Sequence, residues 1–353
     1  MLAAHCAPLN FAQPRVFIPV SVVDPVAIDR RVSVAPMMDY TDRHCRYFMR
    51  LLSPSALLYT EMVTAKALLH GDAQWLLEFD AAEHPVALQL GGSDPDELAH
   101  AARIGERCGY REINLNCGCP SDRVKSGQFG ACLMGDATRV RDAVMAMRAA
   151  VNGPVTIKCR IGIEPGMAGR SDADFLREFI STVATGGCSV FIVHARRAIL
   201  NGLSPKENRE IPPLRYEVVA ALRSEFPQLT FVLNGGIRTR AEVTEHLKAF
   251  DGVMIGREAY QNPYLLAELH CDMHCDSELP DRQAVVHAYV EYVERQLARG
   301  ERLNNMVRPV LGLYHALPGA RSWRRYLSEG VVRRQADAKL LLDSLRIVTD
   351  SAA

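Results

Sequence analysis

The sequence lacks the marks of a membrane or secreted protein. No apolar run in its 353 residues reaches the roughly 18 residues that span a bilayer. The first thirty residues contain four prolines and no basic start followed by an apolar stretch, so we expect no signal peptide. We predict that residues 1–30 form an irregular arm and that the protein has no membrane partner.

Cysteine is also sparse. Ten cysteines in a chain of this length are too few for a disulfide scaffold, and we expect free thiols in a reducing cytoplasm. One cluster holds His270, Cys271, His274 and Cys275. Two Cys and two His can close a zinc site, but zinc fingers separate the two ligand pairs by about a dozen residues. We therefore expect a helix end or a linker here, and no metal.

The chain has no net charge, because 41 Lys and Arg residues balance 41 Asp and Glu residues. This balance excludes a uniformly basic coat for indiscriminate nucleic-acid binding, but it allows a local basic face. Nine arginines and two acids lie between Arg295 and Arg334, a net charge of +7. Because arginine pairs bidentately with phosphate, this segment is either a nucleic-acid surface or a solvated helix face paired with acids elsewhere.

Eight short, mostly apolar runs alternate with helix-forming stretches. The runs begin at Val32, Ala56, Val86, Glu112, Val155, Val190, Thr230 and Gly252. Such alternation indicates parallel strands buried on both faces, and eight repeats over about 230 residues predict an α/β fold, a (β/α)8 TIM barrel. A doubly wound open sheet is the alternative, which the absence of G-x-G-x-x-G after the first strand disfavours.

The strand pattern stops after about residue 265. The stretch HCDMHCDSELPDR has the composition of a linker, and RQAVVHAYVEYVERQLARG then shows helical periodicity with its valines on one face. We predict a TIM-barrel domain over residues 31–268 and a C-terminal all-helical domain over residues 280–350.

Side chains that can bind a ligand follow most of the strands, at the face where TIM barrels carry their active sites. They are Met37, Met38, Glu61, Gln89, Asn116, Lys158, Arg160, His194, Asn234 and Arg257. Strand seven ends in Asn234-Gly235-Gly236, and strand eight in Gly256-Arg257. Because the loops after these two strands commonly hold a phosphate, we predict a phosphate site; two tight turns that need glycine are the alternative.

The loop after strand four, NLNCGCPSDRVKSGQFGACL, holds two candidate cysteines. Cys117 and Cys119 have C-x-C spacing, which argues against a thioredoxin-type disulfide. Glycines make this loop mobile enough to close over a substrate, and Arg123 and Lys125 give it a positive edge. A thiol with the ordinary pKa of about 8.5 is protonated at neutral pH. No base is adjacent, so we favour a proton donor over a nucleophile.

Strands five and six end in Lys158 and His194, which can hydrogen-bond a flat, electron-rich ring. The long segment after strand six, residues 196–214, carries Lys206 and Arg209 on the same face. Loops longer than about 12–15 residues are usually functional or disordered. We therefore expect Lys206 and Arg209 to meet a phosphate backbone.

Six motifs in the right order resemble the tRNA-dihydrouridine synthases. They are APMMDYTDRHCRYFMR, NLNCGCPSDRVKSGQFGACLMG, KCRIGI, HARRAILNGLSPKENREIPPL, NGGI and DGVMIGREAYQNP, and the resemblance extends from Arg31 to Arg325. The stretches GLSPKENREIPPL and PGARSWRRYLSE resemble the dihydrouridine synthase A subfamily. The resemblance implies an FMN-binding barrel and a helical domain. Such an enzyme reduces the C5=C6 bond of uridine at positions 20 and 20a of the tRNA D-loop, with NADPH as electron donor.

The resemblance also implies roles for single residues. Cys119, the cysteine of the GCP triplet, would donate a proton to the uracil ring. The flavin contacts would be Pro36, Met37, Met38, Gln89, Lys158, His194, Asn234, Gly235, Gly236, Gly256 and Arg257. The tRNA contacts would be Asn116, Lys206, Arg209, Arg321 and Arg324. Cys117 and Cys159 depart from the family, whose members often carry an apolar residue and a histidine there.

Two other functions compete with this interpretation. A flavin enzyme of free pyrimidines would share the barrel but would have no use for an arginine-rich helical tail. An RNA-binding chaperone would use the tail but would hold no flavin. We expect tRNA as the partner and a monomer without a stable protein partner.

Overall fold

The eight runs form eight parallel strands that close into a barrel in chain order, with the first strand pairing with the last. The computed structural model describes residues 28–122, 126–167, 169–333 and 336–349. The strands are β1 (Val32–Val34), β2 (Leu57–Thr64), β3 (Val86–Gly91), β4 (Glu112–Cys117), β5 (Val155–Glu164), β6 (Val190–Ile199), β7 (Thr230–Asn234) and β8 (Gly252–Ile255). The closed barrel confirms the predicted TIM barrel and excludes the open sheet.

Helices connect the strands and cover the barrel. They are α1 (Arg43–Leu52), α2 (Ala65–His70), α3 (Ala73–Leu76), α4 (Pro95–Arg107), α5 (Ala137–Ala150), α6 (Asp172–Thr185), α7 (Tyr216–Glu225), α8 (Arg240–His246), α9 (Arg257–Gln261) and α10 (Tyr264–Met273). Short 3-10 turns lie at Ala81–Glu83, Gly130–Gly135 and Glu207–Arg209. Helix α4 begins after Asp94, whose carboxylate accepts the backbone N–H groups of Asp96 and Glu97 and so satisfies donors that a helix start leaves unpaired.

Alternation along β4 decides which side chains enter the barrel. Ile113 and Leu115 belong to the core between strands and helices, so the residues between them point inward. The apolar part of the barrel interior is the buried cluster of Ala35, Leu57, Tyr59, Ala87, Val190, Ile192, Val232 and Met254. Strand β4 instead presents Glu112, Asn114 and Asn116, all buried. Together with the buried side chains Gln89 of β3 and Thr156 of β5, they form one polar wall of the interior.

Strands β5 and β6 are longer than the sequence pattern indicates. They shift register between Arg160 and Gly162 and then pair on to Glu164 and Ile199. The prediction that Lys158 and His194 end these strands is therefore wrong. An irregular pairing lets a strand change direction without ending, so both side chains stay at the barrel mouth while a two-stranded extension rises beyond them.

A second hydrophobic core lies outside the barrel. It joins α11 (Arg282–Ala298), α12 (Leu303–Val307), the 3-10 turn Arg308–Gly312, α13 (Ala320–Gly330) and α14 (Lys339–Thr349). These helices pack on α1, where Tyr47 stacks on Tyr292 with ring centroids 3.9 Å apart and Phe48 meets Tyr289 edge-on. The predicted C-terminal helices are confirmed, whereas the exact domain boundaries stay a prediction.

Two further predictions concern the linker after the barrel and the N-terminal arm. Residues 270–273 belong to α10, so the first part of the expected linker is a helix end. Most of the predicted irregular arm, residues 1–27, lies outside the described residues. Among the described residues, no helix is both long and apolar enough to cross a membrane.

Candidate active site at the barrel mouth

Side chains from β5 and β7 meet directly at the carboxyl end of the barrel. Lys158 Nζ donates to Asn234 Oδ1 at 2.9 Å, and Asn234 Nδ2 donates to the carbonyl of Met254 at 2.7 Å. Burial, followed by the charge of Arg160, lowers the pKa of Lys158 to about 8. The one recorded hydrogen bond of the ammonium is to a neutral amide, so this cation can still take an anionic or electron-rich partner.

His194 lies beside these residues and has an unused ring nitrogen. Its Nδ1 is buried and has no hydrogen-bond partner among the described residues. Burial lowers the pKa of His194 well below its ordinary value, and nearby Arg160, Lys158 and Arg196 add to this effect. The imidazole is therefore neutral at pH 7. An unpaired buried nitrogen is costly, which points to a ligand atom at this place.

Two arginines bind the backbone around the mouth: Arg160, which the sequence analysis placed at a strand end, and Arg196, which it did not single out. Arg160 donates to the backbone carbonyls of Gly118, Arg197 and Asn208 at 2.8–3.0 Å, and burial lowers its pKa to about 10. Arg196 donates to the carbonyl of Pro212. Both arginines lie within the motifs KCRIGI and HARRAI, so the signal was present. Neither is recorded in an ion pair within the described part of the chain.

The predicted phosphate loops have the backbone that such a site needs. Gly235 and Gly236 have φ values of +117° and +76°, which favour glycine. A Cβ atom at Gly256 would meet nothing within 4 Å, so space is open beside this backbone. Arg257, however, is not free: its Nη1 donates to Glu210 Oε1 at 2.5 Å. A phosphate at Arg257 would have to compete with Glu210 for the guanidinium.

Cys119 stands in the loop after β4, on the edge of the same mouth. The Oδ1 atom of Asn116 accepts the backbone N–H groups of Gly118 and Cys119 at 3.0 and 2.9 Å, which anchors the start of the loop. The thiol is half-buried, and its Sγ lies 3.4 Å from Ser121 Oγ. The loop residues Arg123 and Lys125 lie outside the described residues.

Cys117 has a different environment from Cys119. It is fully buried in the outer core, where its strand neighbour is Cys159. Burial raises the pKa of Cys117 well above its ordinary value. Cys117 therefore faces away from the mouth, which leaves Cys119 as the candidate for chemistry.

The rim of the mouth carries exposed side chains from two loops. Met38 is 52% exposed, Met37 is partly buried, and Tyr40 meets Tyr260 edge-on with centroids 4.7 Å apart. Pro36 opens this segment and is partly buried. On the other loop, Lys206 is exposed, and the pKa of Arg209 is lowered by partial burial and by Arg257.

The tail arginines divide into two groups. Arg295 lies 3.8 Å from Asp80, and Arg299 pairs with Glu78, so these two bind acids of the barrel. Arg321 and Arg324 are exposed on α13, three residues apart. Neither is recorded in a hydrogen bond or an ion pair with another described residue. Pairing with acids therefore accounts for Arg295 and Arg299, whereas the nucleic-acid surface stays a prediction for Arg321 and Arg324.

The Cys-His cluster has ordinary hydrogen bonds instead of a metal geometry. His270 Nδ1 lies 2.8 Å from Ser55 Oγ, and its Nε2 lies 3.2 Å from Ser277 Oγ. His274 stacks on His270 with centroids 4.4 Å apart. Within the described ranges, no three His, Cys, Asp or Glu side chains form a group that could hold a metal ion.

The fold and the mouth are those of a TIM-barrel enzyme whose strand ends bring several cations next to a half-buried cysteine. The profile of the dihydrouridine synthase family matches residues 33–349. A tRNA-dihydrouridine(20/20a) synthase of Salmonella typhi is 55% identical over 322 residues, covering 91% of this chain and 96% of that protein. The Escherichia coli K12 enzyme of that name is 54% identical (91% and 92%), and the Vibrio cholerae one 52% (89% and 95%).

The chain belongs to the dihydrouridine synthase family. This finding confirms the resemblance drawn from the six motifs, including the subfamily to which those motifs pointed. The roles of single residues are not tested by the comparisons and stay predictions.

Proposed function

We propose that this protein reduces the C5=C6 bond of uridine to dihydrouridine at positions 20 and 20a of the tRNA D-loop, with bound FMN and with NADPH as electron donor. The relatives support the reaction and the positions, since their names specify both. The observation that carries the proposal is the unpartnered Nδ1 of His194, set among cations beside the half-buried Cys119.

The mouth fits an FMN molecule. Cations greatly outnumber acids among the described residues of the mouth, and Glu210 pairs with only one of these cations. They are Lys158, Arg160, Arg196, Arg209 and Arg257. Lys158 and His194 offer donors for a flavin ring, and the open space at Gly256 with the turn at Gly235 and Gly236 suits its phosphate. Gln89 lies behind them, fully buried and bonded to Asn116.

FMN, when bound, supplies a hydride to C6 of the uracil ring. Cys119 then has one task, which is to donate the Sγ proton to C5. Asn116 holds the Cys119 backbone in place for this step through its Oδ1. Lys158 carries positive charge close to Cys119, whose proximity is among the influences on the pKa of the lysine.

The substrate is a folded RNA, so the target base must leave its stack to reach the mouth. Arg321 and Arg324 are exposed and free to contact phosphates, which position the RNA without reading its sequence. Lys206 and Arg209 lie on the loop that borders the mouth and would meet the backbone near the flipped base. The +7 tail distinguishes this proposal from a flavin enzyme of free pyrimidines.

Reduction of an unmodified tRNA transcript by the purified protein tests the proposal. We expect a yellow protein that NADPH bleaches and that forms dihydrouridine in the transcript but none from free uridine. Reduction of free uridine alone would favour the pyrimidine enzyme. A colourless protein that binds tRNA and ignores NADPH would favour the chaperone.

We further propose that the protein acts in the cytoplasm as a monomer. The nine described cysteines are free thiols, which suits a reducing compartment. Light scattering during size-exclusion chromatography should give a mass near the 39.1 kDa of one chain.

A further inference from the structure

A column of buried polar side chains runs through the barrel from its amino-terminal end to the mouth. Its members are Glu112, Thr156, Asn114, Gln89 and Asn116, and none is more than 8% exposed. Four residues of strand separate Glu112 from Asn116, roughly 13 Å at about 3.3 Å per residue. The column therefore connects the floor of the barrel with the two amides beside Cys119.

The foot of the column is the Glu112 carboxyl group. It pairs with Arg30, so it is an ionised carboxylate that can only accept hydrogen bonds. Its Oε1 atom accepts one bond from Tyr59 at 2.6 Å and another from Thr156 Oγ1 at 2.7 Å. Because Thr156 donates here, its oxygen is left to accept from the next member of the column.

The donation by Thr156 sets the direction of every hydrogen bond between Glu112 and the mouth. Asn114 Nδ2 donates to Thr156 Oγ1 at 2.8 Å, so Asn114 Oδ1 must accept from Gln89 Nε2, also at 2.8 Å. Gln89 Oε1 in turn accepts from Asn116 Nδ2 at 2.8 Å.

The head of the column requires the same direction. Asn116 Oδ1 accepts two backbone N–H groups, those of Gly118 and Cys119, and a backbone N–H can only donate. An acceptor at one end and donors at the other leave a single consistent orientation for all three amides. If one amide reversed, two donors or two acceptors would face each other in a buried site, which is costly.

We propose that Glu112 and Thr156 are positioning residues, which hold the amides of Gln89 and Asn116 in this orientation from the floor of the barrel and so reinforce the backbone N–H groups at its head. Gln89 then presents its remaining Nε2 proton in a set direction, and Asn116 keeps the Cys119 loop anchored. This inference rests on the proposed function, because it takes Gln89 as a flavin contact and Cys119 as the proton donor.

Two matched substitutions test the inference. Thr156→Val and Tyr59→Phe each remove one hydroxyl donor from Glu112 Oε1, but only Thr156 belongs to the column. We expect similar losses of melting temperature. Thr156→Val should raise the Kd for FMN about three- to tenfold, the effect of one net hydrogen bond, and lower kcat for tRNA reduction without raising KM for tRNA. Tyr59→Phe should change the Kd less than about twofold.

Further variants make the test decisive. Thr156→Ser keeps the hydroxyl and should restore the wild-type Kd. If Thr156→Val does not fold, Glu112→Leu removes the acceptor at the foot of the column and should weaken FMN binding by a similar factor. Equal Kd values for the broken column and for Tyr59→Phe would overturn the inference. A wild-type protein that binds no FMN would instead overturn the proposed function.

Discussion

The cations of the barrel mouth and those of the helical tail differ in how the fold holds them. Arg160 and Lys158 are enclosed, bonded to carbonyl or amide oxygens, and have lowered pKa values. Arg321 and Arg324 stand exposed on α13. A desolvated, fixed charge suits one small anion of defined shape, whereas exposed charges suit a long polyanion whose attraction depends on salt. Under the proposed function, the enclosed cations would bind the cofactor and the exposed ones the RNA.

Cys119→Ala should give the largest effect and leave both groups of cations intact. We expect dihydrouridine formation to fall by about 10²–10⁴-fold, the usual effect of losing a general acid. FMN content, reduction by NADPH and tRNA affinity should stay at wild-type values. Single-turnover assays on a transcript measure the first quantity, and the flavin spectrum measures the second.

Cys117→Ala is the matched control, because Cys117 is buried in the outer core two residues away. It should keep nearly full activity. Loss of activity in this variant together with full dihydrouridine formation by Cys119→Ala would mean that the wrong cysteine was chosen.

Replacing both exposed arginines, Arg321→Ala with Arg324→Ala, should affect RNA alone. We expect KM for tRNA to rise about tenfold, since two exposed charge contacts of roughly 0.7 kcal/mol each sum to about 1.4 kcal/mol. The salt dependence of binding should flatten by up to about 0.9 in slope for each lost contact. Flavin reduction by NADPH should not change.

The paired arginines supply the control for this experiment. Arg295→Ala with Arg299→Ala removes the same charge but breaks contacts with Asp80 and Glu78. It should lower the melting temperature more than it raises KM for tRNA. Equal effects of the two double variants on tRNA affinity and salt slope would remove the distinction between exposed and paired arginines.

Arg257→Ala should affect the cofactor alone, and less strongly. It removes a partner of the flavin phosphate and leaves the Glu210 carboxylate unpaired near it, so the Kd for FMN should rise about three- to tenfold. Glu210→Gln should bind FMN at least as well as wild type, because the competitor is gone. Fluorescence titration of the flavin-free protein measures both. An unchanged Kd in Arg257→Ala would move the phosphate elsewhere.

The pH dependence of FMN affinity should give the smallest effect. The pKa of Lys158 is about 8, below its ordinary value because of burial and Arg160. FMN favours the protonated lysine, so affinity is nearly complete at and below about pH 7 and falls as the lysine loses its proton around pH 8. The Kd should rise about twofold between pH 7 and 8, and faster above. Lys158→Met should bind weakly without this dependence; the same pH profile in both proteins would contradict the assignment.

Sequence reasoning predicted the barrel and most of the residues at its mouth. In this fold the strand ends meet at one face, whatever their separation along the chain. The same reasoning did not predict the polar wall, although EINLNC alternates polar and apolar residues over Glu112–Cys117 and so carries the signal. It could not give the extension beyond Arg160, because a register shift depends on the neighbouring strand. Nor could it give the pairing of Arg257 with Glu210, which are 47 positions apart.

Mapping dihydrouridine in tRNA from cells that lack this gene tests the central claim most directly. We expect dihydrouridine to disappear at positions 20 and 20a and to remain at other positions, with recovery on expression of the wild-type protein and not of Cys119→Ala. Unchanged dihydrouridine at both positions would contradict the account, and so would full recovery by Cys119→Ala.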